Sequence, residues 1–157
     1  ALLRSLVGSE MCIRDSFVIA YTGIEHKSGD LHSRVWERYD DGDEEVISGL
    51  HLIRGAARNM ADGLQRDRRE LVVKALNEVC DGVDLIDRSI HDPFREVMGE
   101  LKESGSVVAW KALGAGGGGS VGILCSPMGL SNTISVVENA GWEIVEWDYD
   151  EIGIQVN

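Results

Sequence analysis

The residues best placed to do chemistry in this chain surround a glycine run. From Lys111 the sequence reads K-A-L-G-A-G-G-G-G-S-V, with five glycines among the six residues Gly114, Ala115, Gly116, Gly117, Gly118 and Gly119, closed by Ser120. Glycine gives up more backbone entropy on folding than any other residue, so such a run between ordered segments implies backbone brought very close to something. Two uses follow. Successive N–H groups without side chains can ring a phosphate, or the run can press against a second loop that does so. A floppy hairpin tip is the bland alternative. Lys111 adds a cation just before the run, provided that it does not simply point outward from its strand.

The spacing narrows the possibilities. Gly114, Gly116 and Gly119 match G-x-G-x-x-G, but a dinucleotide cradle needs a helix after the loop, and β-branched and apolar residues follow here. No G-K-[ST] closes the run, which excludes a Walker A loop. The acidic segment Asp40 to Glu45 (D-D-G-D-E-E) lacks the alternating ligands and distant Glu of a calcium loop and reads as solvated chain. Cys12, Cys80 and Cys125 are odd in number and form no C-x-x-C, so free thiols in a reducing cytoplasm are expected and no metal site is assigned. His32, His51 and His91 lie on or near expected helices as surface or satisfied side chains.

Bulk properties exclude some partners. The chain has 157 residues and a formal charge of 15 − 27 = −12. That balance argues against nucleic acid and anionic membranes, which need a basic face, but not against a small anion held by a few local cations. No apolar run approaches the roughly 18 residues of a membrane span.

The elements that must position the loop can be read from periodicity. Phe17 to Thr22 is a short buried strand, and a helix is expected over 28–39. Val46, Leu50, Ile53, Ala57, Met60 and Leu64 form the core stripe of the next helix, and a further helix runs from after Asp67 to about Ile86. Asp92 and Pro93 are read as N-cap and first helical position of another, which Ser104-Gly105 ends. Strands are expected over 106–113 and 120–125, a helix over 131–140, and β-rich segments over 142–149 and 152–156. This order predicts an α+β fold, a ferredoxin-like sandwich whose antiparallel sheet carries helices on one face. Residues 1–16 show neither period and resemble a translated sequencing-adapter read-through (S-L-V-G-S-E-M-C-I-R-D-S); they are read as a non-native leader, with the domain at 17–157.

With those residues in view, K-A-L-G-A-G-G-G-G-S-V resembles the third motif of the GHMP kinases, closest to the sugar-kinase branch of heptose 7-phosphate kinases and fucokinase-like proteins. F-V-I-A-Y-T-G-I resembles the strand and T-G turn opening that branch's C-terminal half, and W-E-I-V-E-W-D-Y-D-E-I-G-I-Q-V its closing hairpin. The resemblance implies the C-terminal half of a phosphotransferase that uses ATP and Mg²⁺ on a sugar or sugar phosphate. The main phosphate loop and the catalytic acid would belong to a missing N-terminal kinase domain, so no catalytic residue is expected here and the fragment alone is expected to be inactive. Gly114 to Ser120 would buttress the phosphate loop, and Thr22 and Gly23 would lie on the substrate side. Where the branch reads T-G-[IV]-x-R-x-[SA], this chain has T-G-I-E-H-K-S, leaving His26 or Lys27 to replace the arginine. A reading of another class stays open: a stand-alone α+β ligand-binding or interaction module with a structural glycine loop.

Overall fold

The computed structural model describes residues 13–25 and 28–148. A short turn, α1 (Ile13–Ser16), leads into β1 (Phe17–Tyr21). Four helices follow: α2 (Ser28–Asp40), α3 (Glu44–Gln65), α4 (Arg69–Asp87) and, after a 3₁₀ turn at Arg88–His91, α5 (Asp92–Glu103). Then come β2 (Val107–Ala112), β3 (Ser120–Cys125), α6 (Leu130–Asn139) and β4 (Glu143–Val145). The sheet order is β2-β3-β1-β4 with every neighbouring pair antiparallel. With its β-α-β-β-α-β succession this is the ferredoxin-like α+β arrangement expected above. The β-rich segment at 152–156 lies outside the described residues, as does most of the leader.

Register explains the core. Val18 pairs with Ile123, Ala20 with Val121, Trp110 with Ile123 and Ala112 with Val121, so these side chains share one face. Onto it pack Phe94, Met98 and Leu101 of α5 and Val137 of α6. A bulge between Val107 and Ala109 turns Ala109 to the other face, where it and Leu124 meet Val72 and Leu76 of α4. Because Cys80 of the same helix belongs to the first cluster, α4 straddles the β2 edge. The Cys80 thiol bonds the Trp110 carbonyl at 3.0 Å, and burial pushes it up to about 12, so it stays an inert thiol.

Two sequence expectations shift. On α3 the buried residues are Val46, Gly49, Ala56 and Gly63, whereas Ala57 is exposed and Leu64 is 60% exposed. The packed face is therefore turned toward small residues at seven-residue spacing. The cause is a close crossing with α4: a Cβ on Gly49 would lie 2.5 Å from the Gly82 carbonyl oxygen, and one on Gly82 only 2.9 Å from that of Gly49. Side-chain size sets how near two helices come, so the smallest residues sit at the nearest point. At the start of α5, the N-cap position falls on His91 and not on Asp92, because the 3₁₀ turn runs directly into the helix. Asp92 instead takes a hydrogen bond from Arg95 Nε at 3.4 Å, and the capping carboxylate is Asp87, which accepts from the Ser89 N–H at 3.0 Å.

The acidic segment also has a structural use. Asp43 caps α3, accepting from the N–H groups of Glu45 (2.9 Å) and Val46 (3.2 Å), while Arg38 Nε donates to its other oxygen at 2.7 Å. Glu44 and Glu45 then occupy the first turn, where the helix dipole favours negative charge. Among the described residues no helix is long and apolar enough to cross a membrane.

Candidate functional site

Strand β2 carries Lys111 to the neck of the hairpin, where the Leu113 N–H bonds the Ser120 carbonyl at 2.8 Å. Beyond the neck, Gly114, Gly116, Gly117, Gly118 and Gly119 all have positive φ, from 72° to 146°. The value of 146° at Gly118 is essentially closed to other residues. The run is clamped from two sides. Gly117 N–H donates to the Ile90 carbonyl at 2.8 Å, and Gly119 N–H donates to the Ile24 carbonyl at 2.9 Å. The Gly119 carbonyl in turn accepts from both the N–H (3.0 Å) and the hydroxyl (2.9 Å) of Thr22. A Cβ on Gly116 would fall 2.2 Å from the Ile90 side chain, and one on Gly118 2.5 Å from the Ile24 oxygen.

The glycines thus serve close approach, and two of their N–H donors are committed inside the chain. Those of Gly114, Ala115, Gly116 and Gly118 make no hydrogen bond among the described residues. The other expected site residues divide between the two ends of the loop. Thr22, which is buried, and Gly23, which is exposed with φ of 74°, stand at the Gly119 end. Ser120 opens β3 opposite Tyr21. Lys111 stands at the Gly114 end. It does not point outward: it is half-buried, and its Nζ donates to the Ala112 carbonyl at 2.7 Å. Burial pulls its ammonium below the ordinary lysine range, with nearby Cys80 opposing. His26 and Lys27 lie outside the described residues.

Sequence reasoning missed the groups beside Lys111. A cleft of about 60 Å³ is lined by Lys111, His91, Ile90 and Gly114 to Gly116, with Val79 and Val83 of α4 behind them. His91 is only 2% exposed, lies edge-on to Trp110, and places Nδ1 at 2.9 Å from Asp84 Oδ1. Arg95 reaches the same carboxylate at 3.1 Å. The seven-residue interval from Asp84 to His91, two helical turns, is the one signal that could have joined them. Burial lowers the His91 basicity, and its bond to Asp84 only partly restores it. Burial by itself would raise Asp84, but the bonds from Arg95 and His91 outweigh it and leave the carboxyl lowered. At neutral pH His91 is therefore a neutral ring donating Nδ1–H to Asp84, with Nε2 left as an acceptor.

These shifts fix a pH response. A histidine lowered by folding is protonated first in the unfolded chain, so stability falls as pH drops below the ordinary value of 6.5. Depressed Asp84 adds a loss only below its own ordinary value of 3.8. Urea unfolding over a pH series should show declining stability from about pH 6.5 downward. His91→Gln should flatten that part of the curve, and an unchanged slope would contradict the assignment.

The fold and the loop together define an α+β domain with a ferredoxin-like sheet and a clamped glycine hairpin. Its architecture is similar to the crystal structure of a Lin0012 protein from Listeria innocua, with TM-score 0.70 and 16% identity, covering 83% of this chain and 38% of that one. The chain thus spans less than two fifths of that protein, and at this identity the likeness is one of fold. No family model and no curated protein matches the sequence.

Proposed function

We propose that this domain is the C-terminal half of an ATP-dependent small-molecule kinase acting on a sugar or sugar phosphate of the heptose 7-phosphate kind, in the cytoplasm. The observation that carries the reading is the clamped run Gly114 to Gly119, which is built to press against neighbouring loops and so suits a buttress for a phosphate loop supplied by an N-terminal domain. Exposed Ile24 beside that run, and exposed Trp36 and Tyr39 on α2, are apolar surface of the sort a second domain would cover. Phosphoryl transfer depends mainly on positioning and on charge stabilisation, which a rigid loop serves. In this reading Mg²⁺ is held together with ATP in the complete enzyme and not by this domain alone.

A second reading, a ligand-binding or interaction module, draws support from the use of the Gly117 and Gly119 N–H groups inside the chain. One experiment separates the two. The full gene product carrying this domain is assayed for ADP release with Mg-ATP and a panel of hexoses, heptoses and their phosphates. Sugar-dependent turnover is the expected result. Absence of turnover with every sugar, or an upstream coding sequence lacking a P-x-x-x-G-[LI]-G-S-S segment, would sink the kinase reading in favour of the module.

A further inference from the structure

The start of the glycine run offers something its clamped end does not. Lys111 is a half-buried cation whose Nζ meets a backbone carbonyl and no carboxylate among the described residues. A charge removed from water needs an opposite charge or full hydrogen bonding, and one carbonyl leaves two ammonium donors to place. Beside it, the N–H groups of Gly114, Ala115 and Gly116 are without partners among the described residues. His91 lines the same cleft with Nδ1 committed to Asp84 and no partner at Nε2 among the described residues. The residues that carry these donors, this cation and this lone acceptor therefore line a single cleft of about 60 Å³. That volume admits a small oxyanion and is far below the roughly 300 Å³ or more of an ordinary small-molecule pocket.

We propose that this cleft is a phosphate-binding site in which Lys111 and the Gly114 to Gly116 amides hold the anionic oxygens while one proton is shared between a phosphate oxygen and His91 Nε2. The donor set fixes the chemistry. A neutral His91 ring offers a lone pair, so a fully deprotonated oxyanion would meet it unfavourably, whereas a singly protonated phosphate presents an O–H to it. Phosphate monoesters lose their second proton near pH 6, so both forms are accessible under ordinary conditions. The charged groups facing His91 are Asp84 on α4, Arg95 on α5 and Lys111 on β2, and Cys80 stands beside Lys111. Asp84 and Arg95 pair with each other at 3.1 Å, which leaves Lys111 as the cation for the ligand. The site lies at the opposite end of the loop from Thr22 and Ile24, and the inference stands whether or not the chain belongs to a kinase.

The test uses the 157-residue chain and inorganic phosphate, followed by amide and imidazole NMR shifts at about pH 5.5 and about pH 8, values on either side of the second phosphate ionisation. Saturable shifts confined to Gly114, Ala115, Gly116 and His91 are expected, with tighter binding at the lower pH. Lys111→Met, which keeps the apolar stem, should weaken binding about tenfold or more, as expected for loss of a charged hydrogen bond. Lys111→Gln gives a second reading should the methionine variant fold poorly. His91→Gln should abolish the pH dependence. Shifts that fail to saturate at either pH, or that are unaltered in both Lys111 variants, overturn the site. A pH dependence that survives His91→Gln overturns the shared proton.

Discussion

Replacing Gly118 by alanine will destabilise the chain by about 3 kcal/mol, the sum of backbone strain and overpacking each typically worth 1–3 kcal/mol. Gly118 holds φ at 146°, and the new Cβ would lie 2.5 Å from the Ile24 carbonyl oxygen. That oxygen cannot retreat cheaply, because it already accepts from the Gly119 N–H and follows the Thr22 turn. The neighbouring control is Gly114→Ala. There φ is 74° and nothing stands within 4 Å, so only the left-handed penalty of about 1–2 kcal/mol applies. Urea midpoints of the two variants measure the contrast. Equal losses would mean that close approach to Ile24 does not shape the loop.

The other large effect is expected in the sheet core. Phe94 is fully buried between Trp110 and Trp142, with ring centroids 6.0 and 6.1 Å away. Phe94→Ala removes both contacts and leaves a cavity, at a cost of about 3–5 kcal/mol. In a domain of this size each kcal/mol shifts the melting temperature by roughly 2–4 °C, so the variant should melt on the order of 10 °C lower. Trp36→Ala is the matched comparison, since Trp36 is 58% exposed and meets Tyr39 edge-on. A similar drop for both would show that α5 does not anchor the sheet as described.

Most elements were legible because their signals are local. Ser120 to Cys125 alternates too little to be half-exposed, and it emerges as the strand whose residues from Val121 on are all buried. The helices α3 and α4 announced themselves by their apolar period. The exact face of α3 did not, because apolar side chains mark a helix face while Gly49 and Gly63 mark the point of nearest approach, and glycine carries no hydropathy signal. The Asp92-Pro93 pair looked like a helix start, yet the 3₁₀ turn before it had already begun the winding. The glycine run was recognised as a close-approach device, but its partners are distant in sequence: Ile24 lies 95 residues before the Gly119 amide it accepts and Ile90 27 residues before that of Gly117, and only the pairing that brings Thr22 to Gly119 joins the first pair. His91 reads as an ordinary helix-boundary residue until Asp84, Trp110 and Lys111 are brought around it.

The sheet order also bears on how the chain can be cut. Strand β1 comes first in sequence yet lies in the interior of the sheet, flanked by β3 and β4. Phe17 pairs with Leu124 and Tyr21 with Glu143, so the earliest strand is the seam joining the later ones. Removing residues 17–22 would leave β2 and β3 as a bare hairpin and β4 with no neighbour among the described strands, and would take Thr22 from the glycine loop. Among the described strands β4 is the short edge, and Trp147 just beyond it donates to the Phe17 carbonyl at 3.3 Å. Any expression boundary or fusion junction therefore belongs ahead of Phe17.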